Sequence, residues 1–402
     1  MGTSKKTTRA ALTGAVAVGV TGLFAAAMAP AHAEMGQVLN ADSANAVDGS
    51  YIVVLKDDEA GSLSTSAVSA KARTLAADYG VKVEQTFDTV LDGFAVTADA
   101  TAAKRLAADD SVAFVSQNQR LHITDRPSTQ AVSSWGLDRI DQRDLPLDDS
   151  YTPPASASNV TAYIIDTGVS AHSDFGDRLL PGVDFVDNDD DATDENGHGT
   201  HVAGTIGGST YGVAPDVKLV GVRVLDANGS GTTAGVIAGV EWVAENASGP
   251  AVANMSLGGG VDEALDEAVR GAIEAGITFG VAAGNESSDA NYSSPARVDE
   301  AITVAASDQD DSEAYFSNYG DVVDIYAPGV NITSAWHDGG ENTISGTSMA
   351  TPHVVGAAAL YLADNPSASP AQVADALTSA ATSGAISNPT GDTPNRLLYV
   401  GN

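Results

Sequence analysis

Tyr163-Ile164-Ile165-Asp166-Thr167-Gly168 is an apolar run that ends in a carboxylate and a glycine turn. A short continuous apolar segment closed by a turn reads as a strand buried on both faces, not as an alternating, half-exposed one. Working outward, segments of the same kind recur at 162–165, 219–224, 251–255, 277–282, 302–305 and 322–326. Helical patterns over 199–206, 233–245, 262–274, 349–362 and 370–380 alternate with them. Buried strands with intervening helices predict an α/β unit whose mainly parallel sheet is covered on both faces. In such sheets, chemistry gathers at the carboxyl ends of the strands.

Upstream of Trp135, residues 124–134 are polar, proline-containing and without periodicity, which is linker chemistry and a target for proteolysis. Before this linker, 51–55 reads as a strand and 62–79 as a helix. Residues 81–96 read as two strands about the Leu91-Asp92-Gly93 turn, 101–108 as a helix and 112–115 as a strand. The β-α-β-β-α-β order predicts a small open sheet with helices on one face. This segment has no nucleophile, base and orienting acid together, so a binding or folding role suits it better than catalysis. At the start of the chain, Lys5, Lys6 and Arg9 precede an apolar run over 10–29 and then Ala31-His32-Ala33, the pattern of a cleaved secretory leader. The expected division is a leader at 1–33, a small domain at 34–130 and the main domain at 131–402.

The net charge of −34 would repel a phosphate backbone or an anionic bilayer, so neither nucleic acid nor membrane is an expected partner. No later segment reads as long and apolar enough to span a bilayer. The chain has no cysteine, which excludes disulfides, thiolate catalysis and thiol-ligated metals.

Four segments carry chemistry. The first is the opening strand with Asp166. The second is Asn196-Gly197-His198-Gly199-Thr200-His201, where a histidine opens a helix. The third is Ser345-Gly346-Thr347-Ser348-Met349-Ala350-Thr351-Pro352-His353, where a serine opens an alanine-rich helix, and the fourth is Ala282-Ala283-Gly284-Asn285 after a buried strand. Taken singly, the Asp suits a turn, the His a structural site, the Ser an N-cap and the Asn a turn. Together they supply the nucleophile, base and base-orienting acid that acyl transfer requires, with an amide able to donate to a developing oxyanion.

These four segments, in this order, resemble the subtilisin-like serine proteases of the proteinase K branch, from about Trp135 to the C-terminus. The 34–130 segment resembles that family's inhibitory propeptide. The resemblance implies a three-layer subtilisin-like fold preceded by a ferredoxin-like α+β propeptide domain. It implies a secreted serine endopeptidase in which Ser348 attacks, His198 shuttles the proton, Asp166 orients His198, and Asn285 with the Ser348 N–H holds the oxyanion. Ser256, Leu257 and Gly258 would form one wall of a peptide groove, Gly229 and Ser230 the facing wall, and Ala282, Ala283 and Gly284 the pocket for the side chain before the cut. These small uncharged residues imply apolar or aromatic preference. The expected partners are protein substrates and the chain's own propeptide, cut between about Pro127 and Ala131, with the enzyme acting as a monomer.

The acidic stretch containing Asp138, Asp141, Gln142 and Asp148 supplies hard oxygen ligands suited to calcium, although on composition alone a solvated loop balanced by Arg139 and Arg143 is the better account. It resembles a calcium loop of proteinase K relatives, with Ser150 as a weaker ligand at one position. A second calcium site is implied at Asp324 with the backbone oxygens of Asp299 and Ala301. The run from Asp187 to Asp194 reads as a solvated loop or a weak third site.

Other classes fit less well. A zinc protease needs a His-Glu-x-x-His pattern, which His198 and His201 lack. An α/β-hydrolase needs its acid and histidine after the serine, and the one histidine after Ser348 is His353, on the same helix. A secreted calcium-binding scaffold with a decayed protease fold would not hydrolyse peptides.

Overall fold

The computed structural model describes residues 35–56, 64–123, 126–127 (backbone) and 135–401. The expected leader and most of the expected cleavage window lie outside them. Residues 35–401 form one compact unit, with the linker-like stretch marking no separation between two bodies.

The N-terminal part follows the expected order: strand Ala46–Leu55, helix Thr65–Tyr79, strands Lys82–Phe87 and Gly93–Thr97, helix Ala100–Leu106 and strand Val112–His122. Its sheet runs Val38–Leu39, Val112–His122, Ala46–Leu55, Gly93–Thr97, Lys82–Phe87. Tyr51, Val53 and Leu55 turn to this part's own core with Val68, Leu75 and Leu106, while Ile52 and Val54 turn to the other face. That second face packs on Val236, Val240, Leu265 and Val269, so the strand pleat itself divides the residues between two cores.

The main sheet has nine strands, in the order Thr382–Ser383, Arg396–Leu397, Ile325–Pro328, Ile302–Ser307, Thr278–Ala282, Ala251–Met255, Thr161–Asp166, Lys218–Arg223, Leu179–Asp184. All neighbouring pairs are parallel except the first. All five expected helices are present, at His198–Gly207, Thr233–Asn246, Glu263–Glu274, Thr347–Asp364 and Pro370–Ala380. Two hydrophobic clusters, one on each face, enclose the sheet, which gives the three layers. The central strands place Asp166, Ser256 and Asn285 at one edge, where their carboxyl ends emerge.

Candidate active site

Asp166 closes the strand Thr161–Asp166 and is fully buried. Its Oδ1 accepts from His198 Nδ1 at 2.6 Å and from the Thr167 N–H at 2.7 Å. Burial pushes its carboxyl above the ordinary range, while His198 and the Thr167 N–H pull it back. An imidazole held this way keeps its proton on Nδ1 and turns Nε2 away from the carboxylate.

His198 is the first residue of its helix. The turn before it needs Gly197, whose φ is +113° and where a Cβ would fall 2.3 Å from the Trp336 ring. Asp194 organises this helix start. Its Oδ1 accepts from Asn196 N at 2.9 Å, Gly197 N at 2.8 Å and Thr167 Oγ1 at 2.9 Å. Its Oδ2 accepts from Thr200 N at 2.9 Å and Thr200 Oγ1 at 2.6 Å. The acidic run around Asp194 hides this role in the sequence. The available signal is a carboxylate just ahead of a helix, where the first N–H groups lack partners.

Ser348 is the second residue of the helix Thr347–Asp364, which packs against the helix of His198. Ser348 Oγ donates to the Ser256 carbonyl at 3.3 Å, and Ser256 Oγ donates to the Ser348 carbonyl at 2.9 Å. Asn285 Oδ1 accepts from Thr347 N at 2.8 Å and Thr347 Oγ1 at 3.0 Å, which turns the amide's donor edge away from Thr347.

A cleft of about 300 Å³ adjoins Ser348 and Asn285, and Ser256, Leu257, Gly258, Ala282, Ala283 and Gly284 all line it. Glu286, absent from the sequence-based expectations, also lines it, and its Oε2 accepts from Asn285 N at 2.9 Å and Asn318 Nδ2 at 3.0 Å. Gly229 and Ser230 lie across from Gly258, and the chain's own strand Val112–His122 fills the space between. Ser230 pairs antiparallel with His122, His122 bridges Gly258, and the Ile123 N–H reaches the Gly229 carbonyl at 3.0 Å. The two walls thus hold an extended segment as an added strand.

The N-terminal sheet is fixed to the main unit at a second point. Glu241 Oε1 accepts from the N–H groups of Asp88 and Thr89, both at 2.8 Å, and Oε2 from that of Val90 at 2.9 Å. Gly271 lets this turn approach, since a Cβ there would meet the Val90 carbonyl oxygen at 2.1 Å. Asp88, Glu241 and Glu245 form the one acidic group among the described residues whose carboxylate oxygens converge within 4.8 Å.

The expected calcium ligands are distributed as follows. Asp138 accepts from Asp148 N at 3.1 Å and Asp149 N at 2.7 Å, which folds the loop over it. Burial, with Asp138 and Asp148 nearby, raises the Asp141 carboxyl above its ordinary value. Gln142 Nε2 donates to the Asp144 and Pro146 carbonyls at 2.5 and 2.9 Å. Asp324, Asp299 and Ala301 line one cavity, together with Arg396. Near the Asp187–Asp194 run, Arg223 binds Asp184, Asp187 and Glu195 at 2.7, 3.0 and 2.7 Å.

Residues 157–397 match the Subtilase family, and residues 50–124 match Peptidase inhibitor I9. The chain is 46% identical over 388 residues to the "Extracellular serine proteinase" of Thermus sp. (strain Rt41A), covering 92% of this chain and 94% of that protein. It is 54% identical over 325 residues to the "Alkaline serine exoprotease A" of Vibrio alginolyticus, covering 80% of this chain but only 61% of that protein's length. The crystal structure of a cold adapted subtilisin-like serine proteinase is 59% identical, with a TM-score of 0.66, and covers 67% of this chain and 99% of its own.

Proposed function

The chain belongs to the subtilase family, and on that premise we propose that it is the precursor of a secreted serine endopeptidase that uses Ser348, His198 and Asp166. The observation that carries this reading is the buried Asp166–His198 hydrogen bond of 2.6 Å beside the helix that has Ser348 as its second residue. Ser348 Oγ attacks the scissile carbonyl as His198 Nε2 takes its proton. His198 then protonates the leaving nitrogen, and water hydrolyses the acyl-enzyme by the same relay in reverse. Asp166 stays ionised and stabilises the imidazolium. Asn285 and the Ser348 N–H hold the oxyanion. In subtilisin, a member of this family, loss of the corresponding side-chain donor costs about 10²–10³-fold in kcat.

The small residues Ala282, Ala283 and Gly284 support a preference for apolar or aromatic side chains before the cut. The matched inhibitor segment and its strand in the groove support residues 34–130 as an intramolecular inhibitor that also aids folding, ahead of a peptidase domain at 131–402. The basic and apolar start of the chain, and relatives named as extracellular, support secretion. The enzyme acts as a monomer on protein substrates.

Calcium at Asp138, Asp141, Gln142 and Asp148, and at Asp324 with Asp299 and Ala301, fits the residues present. Like-charged carboxylates gather around Asp141, and burial, with Asp299 adding to it, raises the Asp324 carboxyl to about 6. A bound Ca²⁺ would supply the charge that keeps these groups ionised, with Gln142 contributing its amide oxygen.

The test compares the precursor with its Ser348→Ala variant in calcium. The wild type is expected to shed its N-terminal part and hydrolyse an aromatic peptide substrate. The variant is expected to stay intact and inert. Equal behaviour of the two would leave the scaffold reading standing.

A further inference from the structure

The strand Ala251–Met255 lies between the strand that ends in Asp166 and the strand that leads to the Ala282–Asn285 segment, and all five of its residues are buried. Four are apolar. The fifth, Asn254, has none of its surface exposed. It pairs with Ile164 on one side and Gly280 on the other. The helix Thr347–Asp364 presses on this place, since a Cβ on Gly280 would stand 2.5 Å from Val355 Cγ2 and 3.4 Å from Thr351 Cγ2. An amide buried in such surroundings is costly unless it makes hydrogen bonds. Asn254 makes one through Nδ2, which donates at 2.9 Å to Ser256 Oγ, two residues along the same face of the chain. Its Oδ1 has no protein partner among the described residues.

The chemistry of that contact fixes its direction. Ser256 Oγ carries one hydrogen, and a carbonyl can only accept. The Ser348 carbonyl lies 2.9 Å from Ser256 Oγ, so the hydrogen points there. Whatever faces Ser256 Oγ from Asn254 must therefore donate, which turns Nδ2 toward Ser256 and Oδ1 away. An acceptor at position 254 would compete for the single hydrogen, and an apolar side chain would leave the hydroxyl free to rotate. We propose that Asn254 is a positioning residue for the nucleophile: its amide donates to Ser256 Oγ, which directs that hydroxyl's only hydrogen onto the Ser348 carbonyl and fixes the start of the helix that carries Ser348. This rests on the serine-protease reading. Asn254 touches no reacting atom. It acts through Ser256, whose own carbonyl accepts from Ser348 Oγ at 3.3 Å. Asn254 is not among the residues that line the cleft, so its effect falls on the placement of Ser348 and not on the hold on substrate.

The experiment measures steady-state hydrolysis of an aromatic peptide by the processed enzyme in calcium, expressed per active site titrated with an acylating inhibitor, so that misfolded chains do not count. Asn254→Leu keeps the size and removes the donor. Its kcat is expected to fall roughly tenfold or more, with KM within about twofold of the wild type. In a Ser256→Ala background the same change is expected to cost less than about twofold. Asn254→Asp gives a second readout. Its neutral carboxyl donates as the amide does, whereas its carboxylate only accepts and takes the Ser256 hydrogen. The ratio of wild-type to variant kcat is therefore expected to widen as pH rises through the pKa of the new carboxyl, which burial places above the ordinary carboxylate range. Wild-type kcat in Asn254→Leu, a loss confined to KM, or the full loss with Ser256 already replaced overturns the inference and leaves the protease reading intact. A kcat ratio for Asn254→Asp that is flat across the whole pH profile does so too. A wild-type chain whose Ser348 does not titrate would instead remove the reading it rests on.

Discussion

Ser256 and Ser348 are joined in both directions, each hydroxyl donating to the other's carbonyl, at 2.9 Å from Ser256 and 3.3 Å from Ser348. The reason lies one helical turn further on. The Ser348 carbonyl would ordinarily accept from the N–H of residue 352, but that residue is proline and has none. The Ser256 hydroxyl fills this place and ties the nucleophile's helix to the groove wall.

Ser256→Ala should therefore leave a buried carbonyl without its donor, at a cost of about 1–3 kcal/mol. Because that carbonyl belongs to Ser348, part of the loss should fall on kcat. Steady-state hydrolysis of an aromatic peptide should show kcat reduced roughly ten- to hundredfold, by the usual conversion of free energy to rate. A change confined to KM would mean that Ser256 serves the groove alone.

Asp194 ties the Asp166 and His198 segments together, since Thr167 Oγ1 donates to it and accepts from the Gly199 N–H at 2.9 Å. Asp194→Asn puts an amide, which must donate on one side, where a carboxylate accepts on both. A destabilisation of about 2–4 kcal/mol is expected in denaturant unfolding of Ser348→Ala backgrounds. In the active chain, kcat should fall more than KM changes, because the base is displaced and the groove is not.

The parts of the fold visible in the sequence are those whose burial is symmetric. The strand ending in Asp166, its parallel neighbours and all five long helices have apolar patterns that report their surroundings directly. The edge strand Leu179–Asp184 is hidden because it contains Pro181 and Gly182 and is only partly covered. The strand beginning at Val112 reads as ending at Val115, since Ser116, Gln117, Asn118 and Gln119 look solvent-facing. They are buried, at 0–6% exposure, because polar partners from their own part of the chain and from across the interface meet them. Gln117 Nε2 donates to Val47 O at 2.7 Å, and Asn118 Oδ1 accepts from Ala234 N at 3.1 Å. The triad residues stand out through motif context. Glu241 and Asp194 do not, because a lone carboxylate gives no sign of which N–H groups will fold around it.

Glu241 holds three successive N–H groups of the N-terminal sheet with one carboxylate, a charge-assisted arrangement. Glu241→Gln should weaken retention of the cleaved N-terminal part about ten- to hundredfold. After self-processing, the lag before peptide hydrolysis should shorten in the variant, while the final rate matches the wild type. An unchanged lag would assign retention to the apolar contacts of Ile52, Val54 and Val90 instead.

Calcium removal tests the metal reading. Chelation should lower the melting temperature of the processed Ser348→Cys or active-site-blocked enzyme, by linkage of binding to the folded state. Asp141→Asn and Asp324→Asn should each reduce that calcium-dependent increment. A melting temperature indifferent to chelator would reduce both clusters to solvated acidic loops.

His353 gives a pH signature separate from catalysis. It is fully buried on the Ser348 helix, with Nδ1 donating to the Met349 carbonyl at 2.8 Å. Gly136 covers it so closely that a Cβ there would stand 2.5 Å from Nε2. Burial lowers its pKa from 6.5 to about 4, against the smaller opposing effect of the Met349 carbonyl. The folded state therefore favours the neutral ring. Above pH 6.5 this contribution is complete. As pH falls from 6.5 toward 4 the unfolded chain binds the proton first, and stability drops by up to about 3 kcal/mol. His353→Asn removes this titration. Plotted as the difference in unfolding free energy between wild type and variant, the curve should be flat above pH 7 and decline toward pH 4. A difference independent of pH would mean that the ring titrates alike in the folded and unfolded chain, as it would if water reached it.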